Sequence, residues 1–299
     1  MLKSLARRAV AALGLSLTLF AAPAEARAPA APRPALWSIA DADTIIYLFG
    51  TIHLLPEKYR WRTPAFDRAV DGSQQLMVET IVDDKNPQKM MSALASLGLS
   101  KGLPPIAERV APAKRAALEA AIAKSGIPRP AFEGMETWMA AFLLLGNQFK
   151  DSGLKGDEGV EKVLRDSFAS KNKPIGELES NVEQLGFFDK LPESAQRQLL
   201  EGAIDQPQSF NAEFKQMLGA WGRGDVNAIA RTFNRDLGSS PELKQALIDR
   251  RNANWSRWIE QRMAQPGAIM IAVGAGHLAG KDSVIDMLRR GGYQVRRLQ

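Results

Sequence analysis

Apolar residues fall into short continuous runs near both ends of the chain and into helix-spaced positions between them. Leu36-Trp37-Ser38-Ile39 and Thr44 to Phe49 predict two strands joined by a turn at Asp41-Ala42-Asp43. The run Ile45 to Phe49 is apolar without interruption, which suits a strand covered on both faces. Thr63-Pro64 supplies an N-cap and a first-turn proline for a helix running to about Ala69. Gln75 to Glu79 predicts a second buried strand, so residues 44–80 form a strand–loop–helix–strand unit of the βαβ kind.

Residues 86–148 turn helical, with starts at Asn86-Pro87 and Ala111-Pro112. The apolar segment Met139 to Leu145 is too short to span a bilayer and predicts a core helix. Residues 150–158 form a Gly- and charge-rich loop. Gly159 to Ala169 predicts a helix and Lys173 to Glu179 a short strand, and residues 181–265 are mostly amphipathic helix. Ala268 to Val273 is another apolar strand, Asp282 to Arg290 a helix, and Gln294 to Leu298 a last strand. Strands at both ends with a helical middle predict one α/β domain, residues 36–299, with a large helical insertion at about 86–265.

The first residues have a different pattern. Lys3, Arg7 and Arg8 precede an apolar stretch from Ala9 to Ala22, and Ala24-Glu25-Ala26 fits a small-residue cleavage site. Residues 1–26 therefore predict a secretory signal peptide, and residues 27–35 a Pro/Ala-rich leader. The expected location is periplasmic or secreted, with no membrane span once the signal peptide is removed. The chain of 299 residues has no Cys and two His. That excludes disulfides, thiolate metal clusters, Cys nucleophiles and any three-His site. The net charge of +6 is partly carried by the signal peptide, and no basic stripe interleaved with aromatics follows. Nucleic acid is not an expected partner.

Both histidines occupy one pattern. Ile45-Ile46-Tyr47-Leu48-Phe49-Gly50-Thr51-Ile52-His53-Leu54 and Ile269-Met270-Ile271-Ala272-Val273-Gly274-Ala275-Gly276-His277-Leu278 are each an apolar strand followed by G-x-x-H-L. In open α/β sheets the C-terminal strand ends line the ligand crevice, so both histidines are expected to reach into it. Gly50, Gly274 and Gly276 are the positions where backbone can turn tightly and approach a bound cofactor or substrate. Glu79 and Glu179 end apolar strands, where a carboxylate points to a polar strand mouth. Arg251 shares a helix face with Leu247, Trp255 and Trp258. A charge there predicts a buried salt bridge, a cation–π contact or an anion-binding role.

At these residues the sequence resembles the TraB/GumN family, related to the TIKI group of metalloproteases. The resemblance runs from Leu36-Trp37 to the C-terminus. It is carried by Leu48-Phe49-Gly50-Thr51-Ile52-His53 with Val78-Glu79, by Gly159-Val160-Glu161, by Lys173 to Glu179 with Glu183-Gln184-Leu185, and by Arg251-Asn252. Val273 to Gly280 and Gly292-Tyr293-Gln294-Val295 complete it. The family pattern has Asp where Glu161 stands, and Lys-Pro-Trp where this chain has Glu136-Thr137-Trp138. The resemblance implies a duplicated strand–GxxH core, of the kind also proposed for erythromycin-esterase-like and haem-binding ChaN-like proteins. It also implies a hydrolase of peptide bonds that uses a divalent metal.

Three functions follow as expectations. In a metal-dependent hydrolase, His53, Glu79 and His277 would ligate Zn, Mn or Co. Glu79 or Glu179 would serve as general base and Arg251 would meet the oxyanion. In a metal-free hydrolase, His53 and Glu79 would activate water directly. In a non-catalytic binding protein, the crevice would hold a peptide, haem or a lipid-like ligand, haem on the two histidines.

Overall fold

A computed structural model describes residues 31–299 except 83–85, 152–153, 205–206 and 238–239. The expected signal peptide, and residues 27–30 of the leader, lie outside the described residues. Residues 31–299 form one compact unit.

Eight strands occur among the described residues: β1 Leu36–Ala40, β2 Thr44–Thr51, β3 Leu55–Pro56, β4 Gln75–Val78, β5 Leu154–Lys155, β6 Ile175–Glu177, β7 Gly267–Gly274 and β8 Arg296–Arg297. Six make a mixed sheet in the order β6-β4-β7-β2-β1-β8, and β3 pairs with β5 in a separate two-stranded ladder. The β1–β2 turn forms where expected. The Asp41 carboxylate accepts from the amides of Asp43 and Thr44 at 3.2 and 2.9 Å, which closes the hairpin. The helix Pro64–Gly72 starts at the Thr63 cap, whose hydroxyl accepts from the Phe66 amide. It joins β2 to β4 as the βαβ reading requires, but the two strands are not neighbours, because β7 lies between them.

β6, β4, β7 and β2 run parallel, and β1 runs against β2. The uninterrupted apolar runs of β2 and β7 have a direct cause, since helices cover the sheet on both faces. Phe49, Met270, Ala272, Leu76 and Val78 pack on one side with Phe66, Leu164, Phe168 and Trp221. Leu48, Ile46, Ile269, Ile271 and Val273 pack on the other with Trp255, Ile259, Val284 and Leu288. The helix Thr137–Asp151 buries Trp138, Ala140, Ala141 and Leu144 in helical clusters of its own. No helix among the described residues is long and apolar enough to cross a membrane.

The two G-x-x-H segments lie side by side, but one residue out of step. Gly50 pairs with Val273, and Thr51 pairs with Gly274. A one-residue shift in a strand exchanges the faces, so residues that match in the two motifs point to opposite sides of the sheet. Two expected strands are shorter than their patterns. Only Ile175–Glu177 of residues 173–179 and Arg296–Arg297 of residues 294–298 are strand. Both are outer strands with a single ladder partner.

An aromatic cluster packs β2 against the elements that cover it. The Phe49 ring lies 4.6 Å from Phe66 and 5.6 Å from Trp61, and Trp221 packs on Phe49 and Trp61. Trp221 also donates its indole N–H to the Gly50 carbonyl at 2.8 Å. Phe49→Ala is expected to cost about 3–5 kcal/mol, as for other fully buried aromatics, read as a lower urea midpoint at unchanged slope.

Candidate functional site

Four strand ends meet on one edge of the sheet. Glu79 follows β4, and Glu179 lies two residues past β6. The ladder continues beyond the strands, with the Glu179 amide donating to the Glu79 carbonyl at 2.9 Å, so the two carboxylates sit on adjacent chains. β7 ends at Gly274, and the 3-10 turn Ala275–Leu278 then carries His277. β2 ends at Thr51, and His53 lies in the loop just past it. The fifth residue, Arg251, comes from the helix Arg250–Met263.

Arg251 is 7% exposed, and all five of its N–H groups are used. Nε donates to both Glu179 oxygens at 3.0 Å, and Nη2 donates to Glu179 Oε2 at 2.8 Å and to Glu79 Oε2 at 2.6 Å. Nη1 donates to the Leu247 carbonyl at 3.2 Å and to His277 Nε2 at 3.1 Å. Leu247 lies in the π-helical turn Gln245–Asp249, directly before the Arg251 helix. Wider helical turns of this type recur at functional sites. The guanidinium also stacks 4.6 Å from the Trp255 ring and 5.6 Å from Phe187. The ion pair, the cation–π contact and the apolar helix face expected for this residue are thus present together. The oxyanion role has no spare donor to perform it.

His277 is held in one tautomer. Its Nδ1–H donates to Asn252 Oδ1 at 2.7 Å, and Asn252 donates in turn to the Asp282 carbonyl at 2.8 Å. Nε2 is therefore the acceptor that faces Arg251. Burial pushes the ring down to about 4, and Arg251 adds to this, so His277 is neutral at pH 7. Burial also opposes the charge on Glu79. Nearby His277, Arg251 and His53, with the Gly274 amide on Oε1 at 2.7 Å, overcome it and hold the carboxyl at about 2. His277 helps in this only once protonated; at neutral pH the charge is held by Arg251, His53 and the amide. Gln184 adds a contact to Oε2 at 3.3 Å. For Glu179, burial outweighs its hydrogen bonds to Arg251, and its carboxyl lies above the usual range. Two carboxylates on one arginine are thus driven apart in acidity.

His53 is different. Its side chain is 67% exposed, and Nδ1 is hydrogen-bonded to Glu161. Thr51 donates to the other Glu161 oxygen at 2.8 Å, which fixes the carboxylate. Glu161 raises the His53 ring to about 9. Glu161 lies in the first turn of the helix Val160–Ala169, and that helix is docked on the His53 loop. The Val160 amide donates to the Ile52 carbonyl at 3.0 Å, and a Cβ at Gly159 would collide with the His53 carbonyl oxygen. Glu79 and Arg251 act on the charge of His53, and His53 acts on that of His277, so the His53 ring lies in the field of the same cluster.

The structure therefore groups Glu79, Glu179, Arg251 and His277 by direct contact, with His53 at the rim. Sequence reasoning matched Glu161, Gln184 and Asn252 only as parts of motifs and gave them no role. The signal was there for Glu161, a first-turn acid behind a glycine, but its partner is distant in sequence. The three glycines expected to admit a cofactor face protein atoms instead. A Cβ at Gly50 would meet Ala275 at 3.0 Å, at Gly274 the Glu79 carboxylate at 3.1 Å, and at Gly276 the Phe233 ring at 2.6 Å. None of the three has a positive φ. Their smallness serves close packing, not a left-handed turn.

The donor atoms do not fit the expected metal set as they stand. The lone pair of His277 Nε2 accepts from Arg251, and both oxygens of Glu79 are hydrogen-bonded. Among the described residues no group of three or more His, Asp or Glu is arranged to hold a metal ion. A cation ligated by Glu79 and His277 would have to displace the guanidinium between them.

Residues 35–297 match the TraB/PrgY/gumN family. The chain belongs to that family. Among similar proteins of this family is YbaP of Escherichia coli (strain K12), named an uncharacterized protein. It is 24% identical over 245 residues, covering 81% of this chain and 87% of the relative. The YbaP of Shigella flexneri is 25% identical over the same shares. No solved structure matches this TraB/PrgY/gumN chain.

Two outcomes follow for the site. The folded state binds a proton at His277 less readily than the unfolded chain does. The stability this gives is full above about pH 6.5 and is lost as the pH falls toward 4. Glu79 adds a loss of the same sign at lower pH, from the ordinary value of 4.5 down to about 2. Urea unfolding at a series of pH values is expected to show a steady decline below 6.5. In His277→Gln the part between 6.5 and 4 disappears. Separately, Gly159→Ala is expected to shift the His53 loop. The His53 resonances and ring titration should change, whereas those of His277 should not.

Proposed function

We propose that this chain is a metal-free hydrolase in which His53 is the group that moves the proton. The observation that carries this reading is the His53–Glu161 pair. One ring nitrogen is fixed by a carboxylate, leaving Nε2 at an exposed rim beside a rigid ionic cluster. This is the arrangement of an oriented general base. As neutral imidazole, His53 takes a proton from water as the oxygen adds to a carbonyl carbon, and returns it to the leaving group as that bond breaks. Glu161 orients the ring and stabilises its charged form. Glu79, Arg251, Glu179 and His277 act as positioning residues beneath it, because their donors and acceptors are already committed to one another.

A peptide or another small carbonyl compound is the expected substrate class. The expected signal peptide at residues 1–26 supports a periplasmic or secreted setting, which the absence of cysteine permits. The paired G-x-x-H segments support a duplicated origin for the core. The metal-dependent alternative, with Zn, Mn or Co on His53, Glu79 and His277, requires Arg251 to leave the cluster.

The test is turnover across neutral ester and peptide libraries, with and without chelator, beside elemental analysis of the purified protein. Chelator-resistant turnover that falls at least 100-fold in His53→Ala is expected, from the usual size of general acid–base catalysis. Its rate should rise with pH toward about 9, where the ring loses its proton. In Glu161→Gln that rise should move to lower pH, since the charge that raises His53 is gone. Stoichiometric metal lost in both His53→Ala and His277→Ala, with activity restored by Zn, Mn or Co, would overturn the reading. No turnover on any library member would leave the binding-protein function.

A further inference from the structure

Beside His53 lies a cavity of about 120 Å³. Its wall is made by Met217, Trp221, Ile229, Phe233 and Ala275, with Thr51 and His53 at the polar side. Apart from His53 Nε2, the polar groups around the cavity are not free to greet a polar ligand. The Thr51 hydroxyl donates to Glu161, the Trp221 indole N–H donates to the Gly50 carbonyl, and the Gly274 amide donates to Glu79. With Nδ1 of His53 committed to Glu161, its Nε2 is the ring nitrogen that faces the opening. A ligand entering here meets hydrocarbon on its sides and an imidazole at its edge.

We propose that this cavity is the specificity pocket of the site, and that it takes a compact uncharged apolar substituent of the substrate next to the reacting carbonyl. The inference rests on the hydrolase reading for what happens to the carbonyl, but not for what fills the cavity. The size supports a substituent of four to seven carbons. Dry, apolar protein cavities of roughly 150 Å³ hold one benzene molecule. A charged or hydrogen-bonding substituent would leave its own polar atoms unpaired against this wall. Phe233 sets the depth. Its ring fills the place where Gly276 has no side chain, with a Cβ there only 2.6 Å from the ring. The smallness of Gly276 thus lets the phenyl ring form the cavity wall. Ile229, on the helix Val226–Leu237, forms part of the same wall.

The experiment has a catalytic arm and a binding arm on the same mature protein. In the first, p-nitrophenyl esters from acetyl to decanoyl are compared by kcat/KM. The expected profile rises about fourfold per added methylene, the factor equivalent to ~0.8 kcal/mol, and turns down once the chain exceeds the cavity. Ile229→Trp should move the optimum to acetyl, and Phe233→Leu should move it to longer chains. In the second arm, benzyl alcohol is titrated while the Met217 and Ile229 methyl resonances are followed. Saturable shifts are expected in the parent, with the Met217 shift lost in Ile229→Trp.

A profile independent of chain length, or one unchanged in both variants, overturns the proposal. So does the absence of saturable benzyl alcohol binding. If no ester turns over but benzyl alcohol binds and Ile229→Trp abolishes it, the hydrolase reading fails and the apolar pocket stands. The two variants change the cavity in opposite directions, so a folding defect in one leaves the other to decide.

Discussion

The arrangement of the site depends on one guanidinium whose donors are all committed. Two glutamates brought together at the strand ends would repel each other, and they and the histidine beside them resist burial unless their polar atoms are paired. Arg251 removes both difficulties. It neutralises one carboxylate charge, supplies hydrogen bonds to both, and gives the bare nitrogen of His277 a donor. The flat fork of an arginine can do this because its bonds spread in one plane, whereas a lysine has a single point of charge. The cluster is then a fixed object, on which the exposed loop bearing His53 can be set.

That division gives the two histidines opposite characters. The buried one is neutral and locked by Asn252, and the exposed one is paired with Glu161 and drawn toward its charged form. The same residue type in the same sequence pattern has two environments because the ladder sets the two segments one residue out of step, and because different elements cover them. A helix N-terminus meets one, and the arginine helix meets the other.

Much of the fold was legible in the sequence, for a physical reason. Ile45 to Phe49 and Ala268 to Val273 are apolar at every position, and only strands covered on both faces require that. Thr63-Pro64 and Asp41 are local signals, and local signals survive in the structure. What could not be read was the sheet order, which puts β7 between β2 and β4, and the register of its ladder. Both depend on pairings between residues far apart in sequence. In the site, the strand-end carboxylates and Arg251 were legible as charges where apolar residues belong. The role of Glu161 was not, because its position on a helix looks like an ordinary first-turn acid until His53 is set beside it. The glycines misled for a related reason. A missing side chain has the same appearance in sequence whether ligand, backbone or a phenyl ring fills the space.

The sheet order has a consequence for how the chain comes into being. β7, contributed by residues 267–274, is an interior strand flanked on both sides, and β1 is paired on its outer edge by β8 at the extreme C-terminus. During synthesis the first strands therefore emerge without their central neighbour and must wait for almost the whole chain. Loop closure over such distances makes folding slow and late. Truncating the chain before β7 would remove an interior strand that bridges β2 and β4, the keystone of the sheet and not a fringe.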